Sequence, residues 1–228
     1  MSAAAPVAPS TVLIINPNTS EAVTYRLKTL AEQQQRARVV AVTATFGASY
    51  ISTEVAYAIA GHAVLKAWEL VPAPHTINAI LIGCFGDPGL FALREMAQRP
   101  VTGLAEAAMT QANALGPYAI VTGGAAWGPM LQRLANTLPC GRNLKDIHTV
   151  EMDGASLSAN PRRAERVLVE ACLQVLSRHA VQSIVIGGAG LAGLAERLQP
   201  HVPVPLIDSV QAGLSQVGAL AQRSERLG

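Results

Sequence analysis

The sequence predicts an α/β protein of two pseudo-symmetric lobes, each with a mostly parallel sheet flanked by helices and with the active site in the cleft between them. Three observations carry this. Short apolar, β-branched runs alternate with longer stretches of helical periodicity, the pattern of parallel strands joined by right-handed crossovers. Ala79-Ile80-Leu81-Ile82-Gly83-Cys84-Phe85-Gly86 superposes without gaps on Ser183-Ile184-Val185-Ile186-Gly187-Gly188-Ala189-Gly190. Val12-Leu13-Ile14-Ile15 superposes on Tyr118-Ala119-Ile120-Val121 at nearly the same offset, so the chain reads as two similar halves.

The elements follow in order. A strand over 12–15 is broken by Asn16-Pro17-Asn18, with Thr19 or Ser20 placed to cap a helix carrying Val23, Leu27, Leu30 and Ala31 at helical spacing. A β-branched strand over 39–43 precedes a long helix over 53–70, a strand over 79–82, a helix near 90–97 and a short strand over 101–104. The second cycle gives a strand over 118–122, a helix from about 129, a strand over 148–152, a helix from 161 to about 179, and strands over 183–186 and 204–207. We expect a flexible tail over 1–10, a first lobe over 11–104 together with 209–228, and a second lobe over 105–208. Ligands of α/β sheets bind beyond the carboxyl ends of strands. Lobes facing each other across a pseudo-two-fold axis would therefore bring the loops after equivalent strands into one cleft, with Cys84 looking across at Gly188.

Composition narrows the function. With 228 residues, half of them hydrophobic, the chain has apolar material for a sizeable core. A formal charge of +2 without basic runs, and 4% aromatic residues, offer neither phosphate tracking nor base stacking, so nucleic acid is not an expected partner. The opening MSAAAPVAPS has no basic region before a continuous apolar stretch, and the apolar runs are strand-sized, so we expect a cytoplasmic protein without membrane contact. Cys84, Cys140 and Cys172 are widely spaced and form no CxxC pattern, which speaks against a disulfide framework and structural zinc. No histidine–carboxylate metal pattern appears, and His62 on the long helix reads as packing or solvent exposure.

Cys84 carries the sharpest chemical signal. It ends an apolar strand in Gly83-Cys84-Phe85-Gly86-Asp87-Pro88-Gly89, ahead of a helix whose free N–H groups and dipole favour negative charge. From an unperturbed thiol pKa of about 8.5, even a modest lowering would give a base near neutrality. Cys172 falls on an apolar helical face and reads as core, whereas Cys140, between Pro139 and Gly141, reads as a surface cysteine. Asn16 and Asn18, after the first strand, either donate to a substrate oxygen or serve turn chemistry. Thr122, Gly123 and Gly124 occupy the matching loop of the second half, and the Ser49 hydroxyl in Phe46-Gly47-Ala48-Ser49-Tyr50 is a further candidate donor. One signal points elsewhere: Gly188, Gly190 and Gly193 satisfy GxGxxG after a strand, with Asp208 about where a ribose-binding acid would lie. The short helix before Pro200 and the nearness of the chain end count against that dinucleotide-binding reading.

INPNTS ending at Ser20, GCFGDPGL over 83–90, RPVTGLAEAA over 99–108, and GGAGLAGLAERL leading to VPVPLID resemble the hydantoin and allantoin racemases of the Asp/Glu racemase superfamily. The resemblance spans nearly all the chain after the tail. It implies two α/β lobes with a small-molecule substrate between them, no cofactor, no metal, and commonly a homo-oligomer. It also implies two cysteines, one per lobe, that remove and return a proton on opposite faces of a carbon. The first matches Cys84; the second would stand at Gly188, where GCAG reads Gly187-Gly188-Ala189-Gly190. The flanking Phe85, Gly86 and Ala189, with Asn16, Asn18, Ser49, Thr122 and Gly123, form the expected substrate-binding set. Gly123 stands where a hydroxyl residue is expected.

The expected activity is thus a racemase or isomerase reaction on a small carbon acid such as a 5-substituted hydantoin or allantoin. Glycine at 188 has no proton to give, and losing a positioned acid or base costs about 10²–10⁴ in rate. Racemisation should therefore be weak unless water or another group substitutes. Decarboxylation or cis-trans isomerisation by one cysteine, ligand binding without catalysis, and dinucleotide-dependent oxidoreduction are the alternatives.

Overall fold

The computed structural model describes residues 10–34, 37–152 and 154–227; apart from Ser10, the tail expected over 1–10 lies outside them. Two four-stranded sheets form. The first contains β1 (Thr11–Asn16), β2 (Arg38–Thr43), β3 (Ala79–Ile82) and β4 (Val101–Gly103) in the order β2-β1-β3-β4. The second contains β5 (Tyr118–Gly123), β6 (Leu144–Val150), β7 (Ser183–Gly187) and β8 (Leu206–Asp208) in the order β6-β5-β7-β8. Every pairing is parallel, and the two orders are the same topology repeated. The internal repeat is therefore structural: β1 corresponds to β5, and β3 to β7. These central strands are buried at every residue, which is why they read as unbroken apolar runs rather than alternating ones.

The helices are α1 (Glu21–Gln34), α2 (Glu54–Glu69), α3 (Leu90–Ala97), α4 (Leu104–Leu115), α5 (Trp127–Thr137), α6 (Gly154–Ala159), α7 (Pro161–Arg178), α8 (Leu194–Leu198) and α9 (Ser209–Leu227). Several begin as their sequences dictate. The hydroxyls of Ser20 and Thr53 accept from the N–H groups of Val23 and Ala56, and Asn160 accepts from Arg163 N–H ahead of Pro161. Among the described residues no helix is long and apolar enough to cross a membrane.

Three expectations need correction. The strand placed over 148–152 lies at Leu144–Val150; as the half-exposed edge of its sheet it lacks the apolar run that marks a central strand. The strand over 101–104 stops at Gly103, because Leu104 opens a helix that the sequence reading did not separate. Cys140 is buried rather than at the surface, in a 3-10 turn packed on α4, and the Tyr118 hydroxyl donates to its carbonyl at 2.9 Å. Cys172 is in the core, as expected. Helix α9 packs on β1, β3 and β4 and also touches β7 and β8, while α4 packs against elements of both sheets.

Candidate active site

The repeated topology brings the loops after β1, β2, β3, β5 and β7 around a cavity of about 400 Å³. Cys84, Phe85, Asn18 and Ser49 line it from the first half, and Thr122, Gly123, Gly188 and Ala189 from the second. Asn16 and Gly86 do not line it.

Asn16 is fully buried, and its chemistry is spent on the turn. Its Nδ2 donates to Asn18 Oδ1, the Ser20 carbonyl and Thr24 Oγ1 at 2.9, 3.0 and 3.0 Å, and its Oδ1 accepts from Asn18 N–H. The turn-forming alternative thus describes Asn16, and the substrate-donor role does not. Asn18 differs: its Oδ1 also accepts from Ser20 N–H, while its Nδ2 makes no hydrogen bond among the described residues. The Thr122 hydroxyl donates to the Gly187 carbonyl at 2.7 Å, which ties β5 to β7 and removes that proton from the expected donor set. The N–H groups of Cys84 and Phe85 make no hydrogen bond among the described residues.

The loop that carries Cys84 is held from below by Asp87. Its two carboxylate oxygens accept from Ala105 N–H at 2.9 Å and Glu106 N–H at 2.7 Å, the first turn of α4. The Tyr57 hydroxyl donates to the Gly86 carbonyl at 2.7 Å. Burial pushes Asp87 up to about 7, opposed by those two N–H donors.

The expectation of an acidified thiol at Cys84 is corrected. Burial raises its pKa well above the ordinary thiol value, and the neighbouring Asp87 charge raises it further. The helix dipole cannot offset this, because the turn through Gly89 separates Cys84 from Leu90, where α3 begins, and the dipole acts only near the helix end. Both effects favour the thiol over the thiolate.

Gly188 departs from the repeat in backbone as well as side chain. Its φ is +142°, a region that residues with a β-carbon rarely adopt, whereas Cys84 has no positive φ. In the first loop positive φ falls at Gly86, Asp87 and Gly89; Gly86 aligns with Gly190 rather than Gly188, and only Gly89 has a positive-φ counterpart, Gly193. The two loops therefore differ at the Cys84/Gly188 and Gly86/Gly190 steps and agree at Gly89/Gly193.

The GxGxxG segment forms a 3-10 turn over Ala189–Leu191 followed by the five residues of α8, too short for a dinucleotide-binding helix. Asp208 accepts from Gly193, Val210 and Gln211 N–H groups, so the acid that a ribose would need instead caps α9. His62 is exposed on α2 with its ring 5.2 Å from that of Phe46, as packing or exposure would have it.

Sequence reasoning missed Tyr50, Ile51, Trp127 and Gly154, which also line the cavity. Tyr50 and Ile51 directly follow Ser49 in the loop that the sequence marks. Trp127 opens α5 beyond β5, and only the tertiary fold turns it inward.

Two four-stranded parallel sheets of repeated topology, with Cys84 beyond a central strand, are a fold that solved racemases share with a maleate isomerase and an arylmalonate decarboxylase. The family model described as Asp/Glu/Hydantoin racemase matches residues 12–217, and the chain belongs to that family. The hydantoin racemase of Rhizobium meliloti is 32% identical over 145 residues, an alignment covering 63% of this chain and 60% of that protein. The hydantoin racemase of Paenarthrobacter aurescens is 29% identical over 204 residues, 88% of this chain and 86% of the relative. Among solved structures, allantoin racemase from Klebsiella pneumoniae has a TM-score of 0.85 at 30% identity, covering 94% of this chain and 88% of that one.

Proposed function

We propose that this chain moves the acidic ring proton of a small, uncharged carbon acid, a 5-substituted hydantoin or allantoin, with Cys84 as the proton-transfer group on one face and no cofactor. The observation that carries the reading is that Cys84 and Gly188, the two positions at which the family resemblance implies a cysteine, line one cavity. Among the described lining residues none carries a charge, which suits a neutral ring better than a free amino acid or a dicarboxylate awaiting decarboxylation.

The chemistry follows from what surrounds the thiol. Removing the C5 proton sends its electron pair onto the adjacent carbonyl oxygen, and the enolate oxygen needs donors held in place beforehand. The Cys84 and Phe85 N–H groups and the Asn18 amide are donors that make no hydrogen bond among the described residues. Val23, Ile51, Phe85 and Trp127 give the cavity an apolar lining for the ring substituent. Because Cys84 rests as a thiol, its base form is scarce at neutral pH, and turnover rises as pH rises.

The test is loss of optical rotation by single enantiomers of 5-benzylhydantoin and allantoin, with the wild-type protein and Cys84→Ser. Catalysed loss with one of the two compounds, reduced about 10²-fold or more by the substitution, is expected. Equal rates for the two proteins would remove Cys84 from the reaction.

A further inference from the structure

Gly188 offers no partner thiol for the second face of the substrate, and another titratable side chain lines the same cavity. Of the described residues that line the cavity, only Cys84 and Tyr50 belong to the side-chain types that serve as general acids or bases. Tyr50 belongs to the first half, in the loop after β2, yet its hydroxyl is fixed in the second half. The Gly154 N–H, at the start of α6, donates to Tyr50 Oη at 2.8 Å. Helix α6 in turn packs against the 3-10 turn over Ala189–Leu191, which begins one residue after Gly188. The phenol is thus held by the half that carries Gly188, on the wall of the same cavity. The contact is close-fitting: a β-carbon on Gly154 would lie 3.1 Å from Tyr50 Oη.

We propose that Tyr50 is the second catalytic residue, exchanging a proton with the face of the substrate opposite Cys84. This rests on the reading of Cys84 given above. In one direction the Cys84 thiolate takes the C5 proton; the S–H bond forms as C5–H breaks, and the electron pair passes to the carbonyl oxygen. Tyr50 then gives its hydroxyl proton to the other face of C5. The enolate pair returns to make the new C–H bond, and the phenolate left behind keeps the Gly154 N–H as its donor. Exchange with solvent reprotonates the phenolate and deprotonates the thiol. For the opposite enantiomer the same two groups exchange roles. A phenol has an ordinary pKa of about 10, close enough to a thiol for the two to act as a pair.

The experiment measures inversion and hydrogen–deuterium exchange separately in D2O, on each enantiomer of whichever of 5-benzylhydantoin and allantoin the wild-type protein turns over, with wild-type protein, Tyr50→Phe and Cys84→Ser. Wild-type protein should invert both enantiomers. Tyr50→Phe keeps the ring and loses the proton: inversion should fall about 10²-fold or more, while exchange at the Cys84-facing enantiomer stays within about threefold of wild type. Replacing Tyr50 by a fluorinated, more acidic tyrosine keeps the hydroxyl and should move the pH profile of inversion downward by about one unit. Inversion by Tyr50→Phe at the wild-type rate, a parallel loss of exchange and inversion in a folded variant, or wild-type exchange without inversion each overturns the assignment. Persistence of both reactions in Cys84→Ser would instead overturn the role of Cys84.

Discussion

The carboxyl group of Asp87 fills the space that a β-carbon on Gly103 would need. The loop beneath Cys84 and the β4–α4 junction are therefore one packed unit, joined by the two N–H donors of Ala105 and Glu106. Asp87 holds this place with φ +53°, a left-handed conformation that Asp tolerates better than most residues. Gly103→Ala should push the carboxyl out of its seat and cost about 3 kcal/mol or more of stability. Urea denaturation read by circular dichroism checks this, and a loss below about 1 kcal/mol would mean that the junction yields easily.

Asp87 also predicts a pH dependence of stability. Its folded pKa is raised, to about 7, so between about pH 4 and pH 7 the folded state binds the proton more tightly than the unfolded chain. Its contribution is present in full below the unfolded pKa and is lost as pH rises through the folded one. Wild-type stability should therefore carry a declining component over that window, on the order of a few kcal/mol at most, which Asp87→Asn removes. Denaturation curves at pH 4.5 and pH 7.5 (about the ends of the window) for both proteins decide it; the same pH slope in each would refute the assignment.

Much of this organisation was legible from residue types alone. The fully buried strands β1, β3, β5 and β7 announce themselves as Val/Ile/Leu runs, and the GCFG/GGAG correspondence gives the repeat before any coordinates. What stayed hidden is tertiary. Asn16 and Asn18 look alike in the sequence, and only the fold spends one amide on Ser20 and Thr24 while leaving the other toward the cavity. The helix N-terminus beyond Cys84 suggested an acidic thiol, but burial beside Asp87 outweighs it. Tyr50 was one residue from a chosen position, and its meaning depends on Gly154, a hundred residues away in the other half.

The raised thiol predicts slow alkylation of Cys84 at neutral pH. Because burial and the Asp87 charge disfavour the thiolate, the iodoacetamide rate at Cys84 should climb about tenfold per pH unit from about pH 7 to 9 without reaching a plateau. Peptide mapping by mass spectrometry resolves Cys84 from the buried Cys140 and Cys172. A plateau below pH 8 would show an acidified thiol after all.

Gly188→Cys tests the altered loop. The φ of +142° opposes any side chain, and a β-carbon would also stand 3.3 Å from Leu191 Cγ. The substitution should cost about 1–3 kcal/mol and, unless the backbone is re-laid, should not raise racemisation above wild type. A thermal melt together with a polarimetric assay reports both; a gain in rate without loss of stability would show that the loop accepts cysteine freely.

In the proposed reaction one thiol beyond β3 transfers a carbon-bound proton. It is tested by incorporation of solvent deuterium at C5 of separate enantiomers of 5-benzylhydantoin and of allantoin, followed by proton NMR, for wild-type protein and Cys84→Ser. Enzyme-dependent incorporation that the substitution lowers about 10²-fold or more for at least one enantiomer is expected. Incorporation at equal rates in the two proteins would contradict it.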